Sequence, residues 1–171
     1  LTTHPARDWW PAWSPDGRSV AFLRLSRVES SADAIVAPAL GGAERKIAEC
    51  PLLSDVGPRA PALCWTADGT CVILPHSESP GAPASLALVS VRTLESRRLT
   101  TPPANSAGDC CPALSPDGGA LAFLRATAGG SWQVHLLSLD RNARPLGEPR
   151  QLTRESAGVL TPMWGEGGRQ L

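Results

Sequence analysis

Four times along this chain an apolar stretch runs into an acidic-glycine turn and out into a second stretch. The segments are Pro11-Ala-Trp-Ser-Pro-Asp-Gly17, Ala62-Leu-Cys-Trp-Thr-Ala-Asp-Gly69, Pro112-Ala-Leu-Ser-Pro-Asp-Gly118 and Pro162-Met-Trp-Gly-Glu-Gly-Gly168. Their turn acids, Asp16, Asp68, Asp117 and Glu166, stand 52, 49 and 49 residues apart. A period of that length makes the repeat, and not the whole chain, the unit of folding.

The residue order within the turn has a conformational reason. In Ser14-Pro15-Asp16-Gly17, Ser opens a type I turn, Pro fixes φ at the second position, Asp stands third and Gly fourth, where φ > 0 carries no steric cost. The chain therefore reverses between two short strands, 11–14 and 18–24. The run Ser19-Val-Ala-Phe-Leu23 is apolar on both faces, as a strand between two layers requires. Beyond a polar loop (26–33), residues 34–38 read as a third strand. After Gly41-Gly42 the charged segment 44–47 reads as a fourth, with charges suited to an exposed edge. The second unit repeats the scheme at 62–65, 70–74, 85–91 and 97–100, and the third at 113–115, 120–125, 132–139 and 150–153. Four antiparallel strands per unit, repeated, predict an all-β fold: a β-propeller of four-stranded antiparallel blades.

The expected organisation is one partial propeller over 1–171. Residues 1–3 end a preceding blade, whole blades occupy 9–49, 61–100 and 112–153, and 162–171 form the first hairpin of a further blade. Leu1-Thr2, Leu99-Thr100 and Leu152-Thr153 mark the same place at the end of successive fourth strands. Three blades do not close a ring, which takes roughly four to eight. The expectation is an open arc, a fragment of a larger ring of about six blades. Either the remaining blades of a longer parent chain or another copy would complete it.

Composition narrows the function classes. Seventeen prolines and sixteen glycines in 171 residues argue against long helices. The formal charge of zero argues against a nucleic-acid or anionic-membrane surface, since both usually need a clustered basic excess, so neither partner is expected. No run approaches the roughly 20 apolar residues of a membrane span. Five cysteines fit no closed disulfide framework. Cys64 and Cys71 flank one turn and could bridge neighbouring strands, Cys110 and Cys111 are adjacent in a loop, and buried or idle thiols are the favoured reading. His4, His76 and His135 lie in different repeats, so neither a metal site nor a cofactor is expected. No serine lies in a Gly-x-Ser-x-Gly elbow, and no histidine has a fixed catalytic partner in the sequence. No catalytic residue is assigned.

The turn acids are read as caps of their own turns and not as a ring of ligands. Trp13, Trp65 and Trp164 share a repeat position and are expected in the core between blades, as is Trp132. Trp9 and Trp10 stand just before the first strand, where packing under the loop is the favoured reading and an exposed aromatic pair making a contact surface is the alternative.

The stretch Leu1-Thr-Thr-His-Pro-Ala-Arg-Asp-Trp-Trp-Pro-Ala-Trp-Ser-Pro-Asp-Gly17 resembles the WD40-like repeat of TolB-type β-propellers, and the likeness runs through the whole chain. Thr66-Ala67 and Gly165-Glu-Gly-Gly168 depart from the family's Ser-Pro-Asp-Gly. More narrowly, Ile35-Val-Ala-Pro-Ala-Leu-Gly-Gly-Ala-Glu-Arg-Lys-Ile47 and Gly147-Glu-Pro-Arg-Gln-Leu-Thr153 look like the propellers of acidobacterial-type regulators. Those proteins join a serine/threonine kinase or winged-helix domain to a C-terminal propeller through one membrane helix.

That resemblance implies a noncatalytic sensor or interaction module, soluble and extracytoplasmic or periplasmic, binding a protein or small ligand at its channel mouth. The segments leading into the first strands would line that mouth, which singles out Asp8, Trp9, Trp10, Arg59 and Asp109. Two alternatives are a substrate-gating propeller of a prolyl-oligopeptidase or acylaminoacyl-peptidase type hydrolase and a periplasmic TolB-like scaffold.

Overall fold

The computed structural model describes residues 2–25, 31–51, 63–154, 161–168 and 170–171. Its strands form three separate four-stranded sheets, each an antiparallel meander in chain order. The first holds β1 (Asp8–Trp13), β2 (Ser19–Leu25), β3 (Ser31–Pro38) and β4 (Arg45–Pro51). The second holds β5 (Cys64–Trp65), β6 (Cys71–His76), β7 (Ser85–Ser90) and β8 (Ser96–Arg98). The third holds β9 (Asp109–Leu114), β10 (Ala120–Ala126), β11 (Trp132–Ser138) and β12 (Arg150–Gln151). This is an all-β partial propeller, an open arc of three blades. Among the described residues the one helical element is a 3-10 turn, Glu166–Gly168.

The repeated turn closes the first hairpin of every blade in the same way. Ser14 N donates to Ser19 O at 2.9 Å and Gly17 N to Ser14 O at 2.9 Å. Asp16 Oδ1 accepts from Ser14 Oγ (2.6 Å) and from Arg18 N (3.0 Å). Thr66-Asp68-Thr70 and Ser115-Asp117-Gly119 reproduce the arrangement, and in each the hydroxyl hydrogen bonds and those from the backbone hold the aspartate below its ordinary pKa. The threonine departure at 66 is therefore neutral, because its hydroxyl performs the serine's task. In the fourth copy Gly165 N still donates to Gln170 O (2.9 Å) and Gly168 N to Gly165 O (3.1 Å). The backbone reversal thus persists there without a side-chain hydroxyl.

Alternation on the second strand of each blade divides the core into layers. Ala21 and Leu23 face the second blade, where they meet Trp65, Val72, Leu74 and Val89. Ile73 turns the other way and joins Leu86 and Leu99 against Leu121, Phe123, Leu137 and Leu139 of the third blade. Both faces of the middle blade are thereby dry, which explains why the central run of its second strand, Val72-Ile-Leu74, carries no polar residue.

Polar contacts of two kinds stitch the seams where the apolar layers end. Near the first strands, Trp65 Nε1 donates to Ala12 O at 3.0 Å, and Trp164 Nε1 to Ala113 O at 2.9 Å. At the fourth strands, Arg45 donates to Val91 O (2.7 Å) and Arg92 O (2.8 Å), and Arg97 to Asn142 O (2.8 Å). The charges expected only to guard an outer edge therefore reach the next blade. Trp13 corrects a second expectation: it lies on the open face of the first blade and is 60% exposed.

All five cysteines are free thiols, the favoured reading, and one placement is corrected. Cys64 pairs across the hairpin with Ile73, so it stands two residues out of register from Cys71, and both are free thiols. Burial pushes the Cys64 thiol up to about 12. Cys110 and Cys111 lie in β9 and not in a loop.

A close backbone approach fixes the start of the third blade. Asp109 N donates to Ala84 O (2.7 Å) and Ala84 N to Ala107 O (3.2 Å), a parallel bridge between blades. Gly108 sits inside it at φ 115°, where a Cβ would come 2.3 Å from Ala84 N and O. Gly118, at φ 74°, has nothing within 4 Å of its own added Cβ. Gly118→Ala should therefore cost about 1–2 kcal/mol for the left-handed backbone alone. Gly108→Ala should cost about 3 kcal/mol or more, because the bridge must part. Urea unfolding of the two variants checks this, and equal losses would remove the close approach from the account.

Candidate functional site

The first strands of the first and third blades carry the same pattern, Asp8-Trp-Trp-Pro-Ala12 and Asp109-Cys-Cys-Pro-Ala113. Each begins as a regular antiparallel partner of the second strand, with Asp8 opposite Arg24 and Asp109 opposite Arg125. Each then bulges. In β1 the register shifts between Trp9 and Ala12, and in β9 between Cys110 and Ala113. Trp10 (φ 52°) and Cys111 (φ 54°) take the left-handed conformation at the bulge. The proline that follows falls where the ladder is already interrupted, so its missing N–H costs nothing there. This is why a strand continues through a proline that the sequence reading placed at its start.

The opposed Asp and Arg make a forked ion pair in both blades. Arg24 Nε and Nη2 donate to Asp8 Oδ1 (2.7 Å) and Oδ2 (3.0 Å), while Arg24 also binds Glu44. Arg125 Nε and Nη2 donate to Asp109 Oδ1 (2.7 Å) and Oδ2 (2.8 Å). Each guanidinium lies over a phenylalanine of its own strand, 5.3 Å from the Phe22 centroid and 5.4 Å from that of Phe123. Partial burial raises the Asp8 pKa, but the Arg24 hydrogen bonds win and the carboxyl is held below its ordinary value. The hydrogen bonds that Arg24 donates to Asp8 and Glu44 push its own pKa upward in turn.

The residues singled out for a channel mouth are thus distributed as follows. Asp8, Trp9 and Trp10 open β1, and Asp109 opens β9, so they are strand residues and not loop residues. Asp109 has no exposed surface and its carboxylate is held by Arg125. Arg59 lies outside the described residues. Trp9 and Trp10 are half-buried with ring centroids 5.3 Å apart and planes tilted by 55°. Beside them a pocket of about 180 Å³ is lined by Thr2, Asp8, Trp9, Pro11, Val20, Phe22 and Ala37. The sequence reading missed Arg24 and Arg125. Their signal was available, since both arginines follow their aspartates by 16 residues in equivalent repeats.

A larger groove, about 420 Å³, runs between the turns of the second and third blades. Its acids, Asp68, Asp117 and Asp140, accept hydrogen bonds within their own turns, so it is the gap left where two hairpins diverge. No group of His, Cys, Asp and Glu suited to a metal occurs among the described residues. His135 is buried, stacked 5.8 Å from Phe123, and burial lowers its pKa. His4 Nδ1 accepts from Ala6 N.

No protein-family model matches this sequence, and no curated protein does. Among solved structures the fold is similar to TolB from Acinetobacter baumannii, with TM-score 0.70 and 20% identity over 98% of this chain and 37% of that one. It is also similar to prolyl oligopeptidase B from Galerina marginata (TM-score 0.63, 16% identity, 89% of this chain and 22% of that one). Oligogalacturonate lyase from Vibrio parahaemolyticus follows at TM-score 0.59 and 12% identity, over 93% of this chain and 43% of that one. The chain spans less than half the length of each. At these identities the likeness is one of fold, that of TolB-type and related propellers.

The ion pair gives the site its stability test. Arg125→Met leaves the Asp109 carboxylate buried without its counter-charge and should cost about 3–5 kcal/mol in denaturant unfolding. Adding Asp109→Leu should recover most of that loss. A single variant as stable as the parent would show that the pair does not hold β9 in place.

Proposed function

We propose that this chain is a noncatalytic binding module, the partial propeller of a bacterial regulator, and that the aromatic edge of β1 is its contact surface. The observation that carries the reading is Trp9, which lines an apolar pocket with Pro11, Val20, Phe22 and Ala37, while its neighbour Trp10 packs against the core between the first two blades. Aromatic side chains that are already fixed lose little freedom on binding, which is why tryptophan dominates contact energies. Asp8 and Asp109, held by their arginines, serve this surface by positioning the strands that carry it.

The pocket's size argues for the kind of partner. About 180 Å³ is below the roughly 300–1,000 Å³ of small-molecule sites, but it accommodates one apolar side chain of a protein. A protein partner is therefore favoured over a small ligand. Two of the histidines have structural roles, His135 stacked and buried on Phe123 and His4 accepting from its own loop.

The regulator reading, with the module outside the cytoplasm, rests on the resemblance of segments 35–47 and 147–153. No helix of the described residues is long and apolar enough to cross a membrane. The likeness to a prolyl oligopeptidase structure favours a second reading, a propeller that gates a hydrolase. The coding sequence around these residues separates the two. A kinase or winged-helix domain and about 20 apolar residues upstream support the regulator. A Gly-x-Ser-x-Gly elbow downstream supports the hydrolase.

The contact surface is tested with a photoreactive amino acid placed at Trp9 in the intact protein, expressed in its own host. One defined protein should cross-link from position 9 and not from position 40, a fully exposed leucine on the far turn. The same labelling from both positions, or from position 40 alone, would contradict the assignment.

A further inference from the structure

The bulge that interrupts β1 recurs in β9, where it falls on two adjacent thiols. In a regular strand adjacent side chains point to opposite faces. At Cys111 the backbone is left-handed, as it is at Trp10 in the equivalent bulge. In β9 both thiols pack in one cluster with Leu124, Val134 and Trp132, and their Sγ atoms stand 3.3 Å apart. The thiol approach therefore occurs at a bulge that the repeat uses twice. We propose that Cys110 and Cys111 form a redox modification site, a vicinal dithiol that closes to a disulfide by exchange with a low-molecular-weight disulfide such as oxidised glutathione.

The chemistry balances without any group from the protein other than the two sulfurs. One thiol loses its proton and its sulfur attacks the glutathione disulfide, forming a mixed disulfide and expelling one glutathione thiolate. The neighbouring sulfur, deprotonated in turn, attacks the protein sulfur of that mixed disulfide and expels the second glutathione. Two protein thiols are oxidised, and one glutathione disulfide is reduced to two thiols. The remaining cysteines do not compete for the partner sulfur: Cys64 and Cys71 are out of register with one another, and Cys50 is buried in the seam between the first two blades.

Strain makes the bridge a labile one, and burial sets how fast it exchanges. Adjacent residues across a trans peptide have Cα atoms about 3.8 Å apart, shorter than the roughly 4.4–6.8 Å of ordinary disulfides. Strained bridges of this kind are the readily reduced ones. The pair is also buried, at 4% and 1% exposure, among Leu124, Val134 and Trp132. Burial pushes the Cys110 thiol well above its ordinary pKa, so exchange is slow in the packed blade and proceeds fastest before or during folding. Closure acts beside Asp109, so it bears on the Asp109–Arg125 pair and on the bridge to Ala84.

The test is made on the unmutated chain, so it does not depend on a variant folding. The reduced, denatured chain is refolded in glutathione buffers of fixed reduced-to-oxidised ratio, quenched in acid, alkylated and mapped by mass spectrometry. A parallel sample stays in denaturing urea at the same ratios. The peptide holding residues 110 and 111 should become lighter by two hydrogens and escape alkylation, while Cys50, Cys64 and Cys71 remain alkylated. The equilibrium constant for closure should be at least about tenfold larger in the folded chain than in urea. Added dithiothreitol should reverse it. Full alkylation of both cysteines in the folded chain, or a smaller constant folded than unfolded, would show that the fold protects two thiols and overturn the proposal.

Discussion

The seam between blades is the contact on which everything else in this structure depends. A blade of four short strands is apolar on both faces, so it has no dry interior of its own and is stable only against a neighbour. The apolar layers supply most of that association, but they are non-directional. Register comes from the polar stitches: an indole N–H on an inner carbonyl and an arginine on the carbonyls of the neighbouring turn. Each stitch satisfies a main-chain oxygen that the sheet ladder leaves over, so sliding one blade on the next breaks hydrogen bonds as well as contacts.

Within a blade, the bulge of the first strand has a comparable role. It interrupts the ladder where proline enters, puts one residue into the left-handed conformation, and leaves the preceding aspartate opposite an arginine of β2 or β10. Nearly every distinctive feature of the candidate surface follows from that local event. The indole pair, the thiol pair, the buried carboxylate and the small pocket are different side chains placed on one backbone form.

The parts legible in the sequence were those encoded by local rules. Ser-Pro-Asp-Gly specifies its own turn through residues next to one another, and its spacing exposes the blade. The apolar runs 19–23, 72–74 and 120–124 announce strands packed on both faces. Less legible were features requiring residues distant in the chain. β1 and β9 begin earlier than expected because Asp-x-x-Pro reads as loop chemistry until the bulge is known. Trp13 shares its motif position with Trp65 but not its environment, because burial of that indole depends on which blade lies alongside. The arginines at 45 and 97 look like edge charges until the facing carbonyls are seen. Asp109 looked available for a ligand because nothing within its own segment shows Arg125 across the hairpin.

The seam is tested most directly by comparing two tryptophans at one motif position. Trp65 donates to Ala12, whereas Trp13 is largely exposed and its indole N–H has no hydrogen-bond partner among the described residues. Trp65→Phe removes the donor and keeps an aromatic ring, and in equilibrium urea unfolding it should cost about 1–3 kcal/mol. Trp13→Phe should change stability by no more than about 0.5 kcal/mol. If the two substitutions cost the same, or if Trp13→Phe costs more, the blades are not held in register by this hydrogen bond and the account of the arc is wrong.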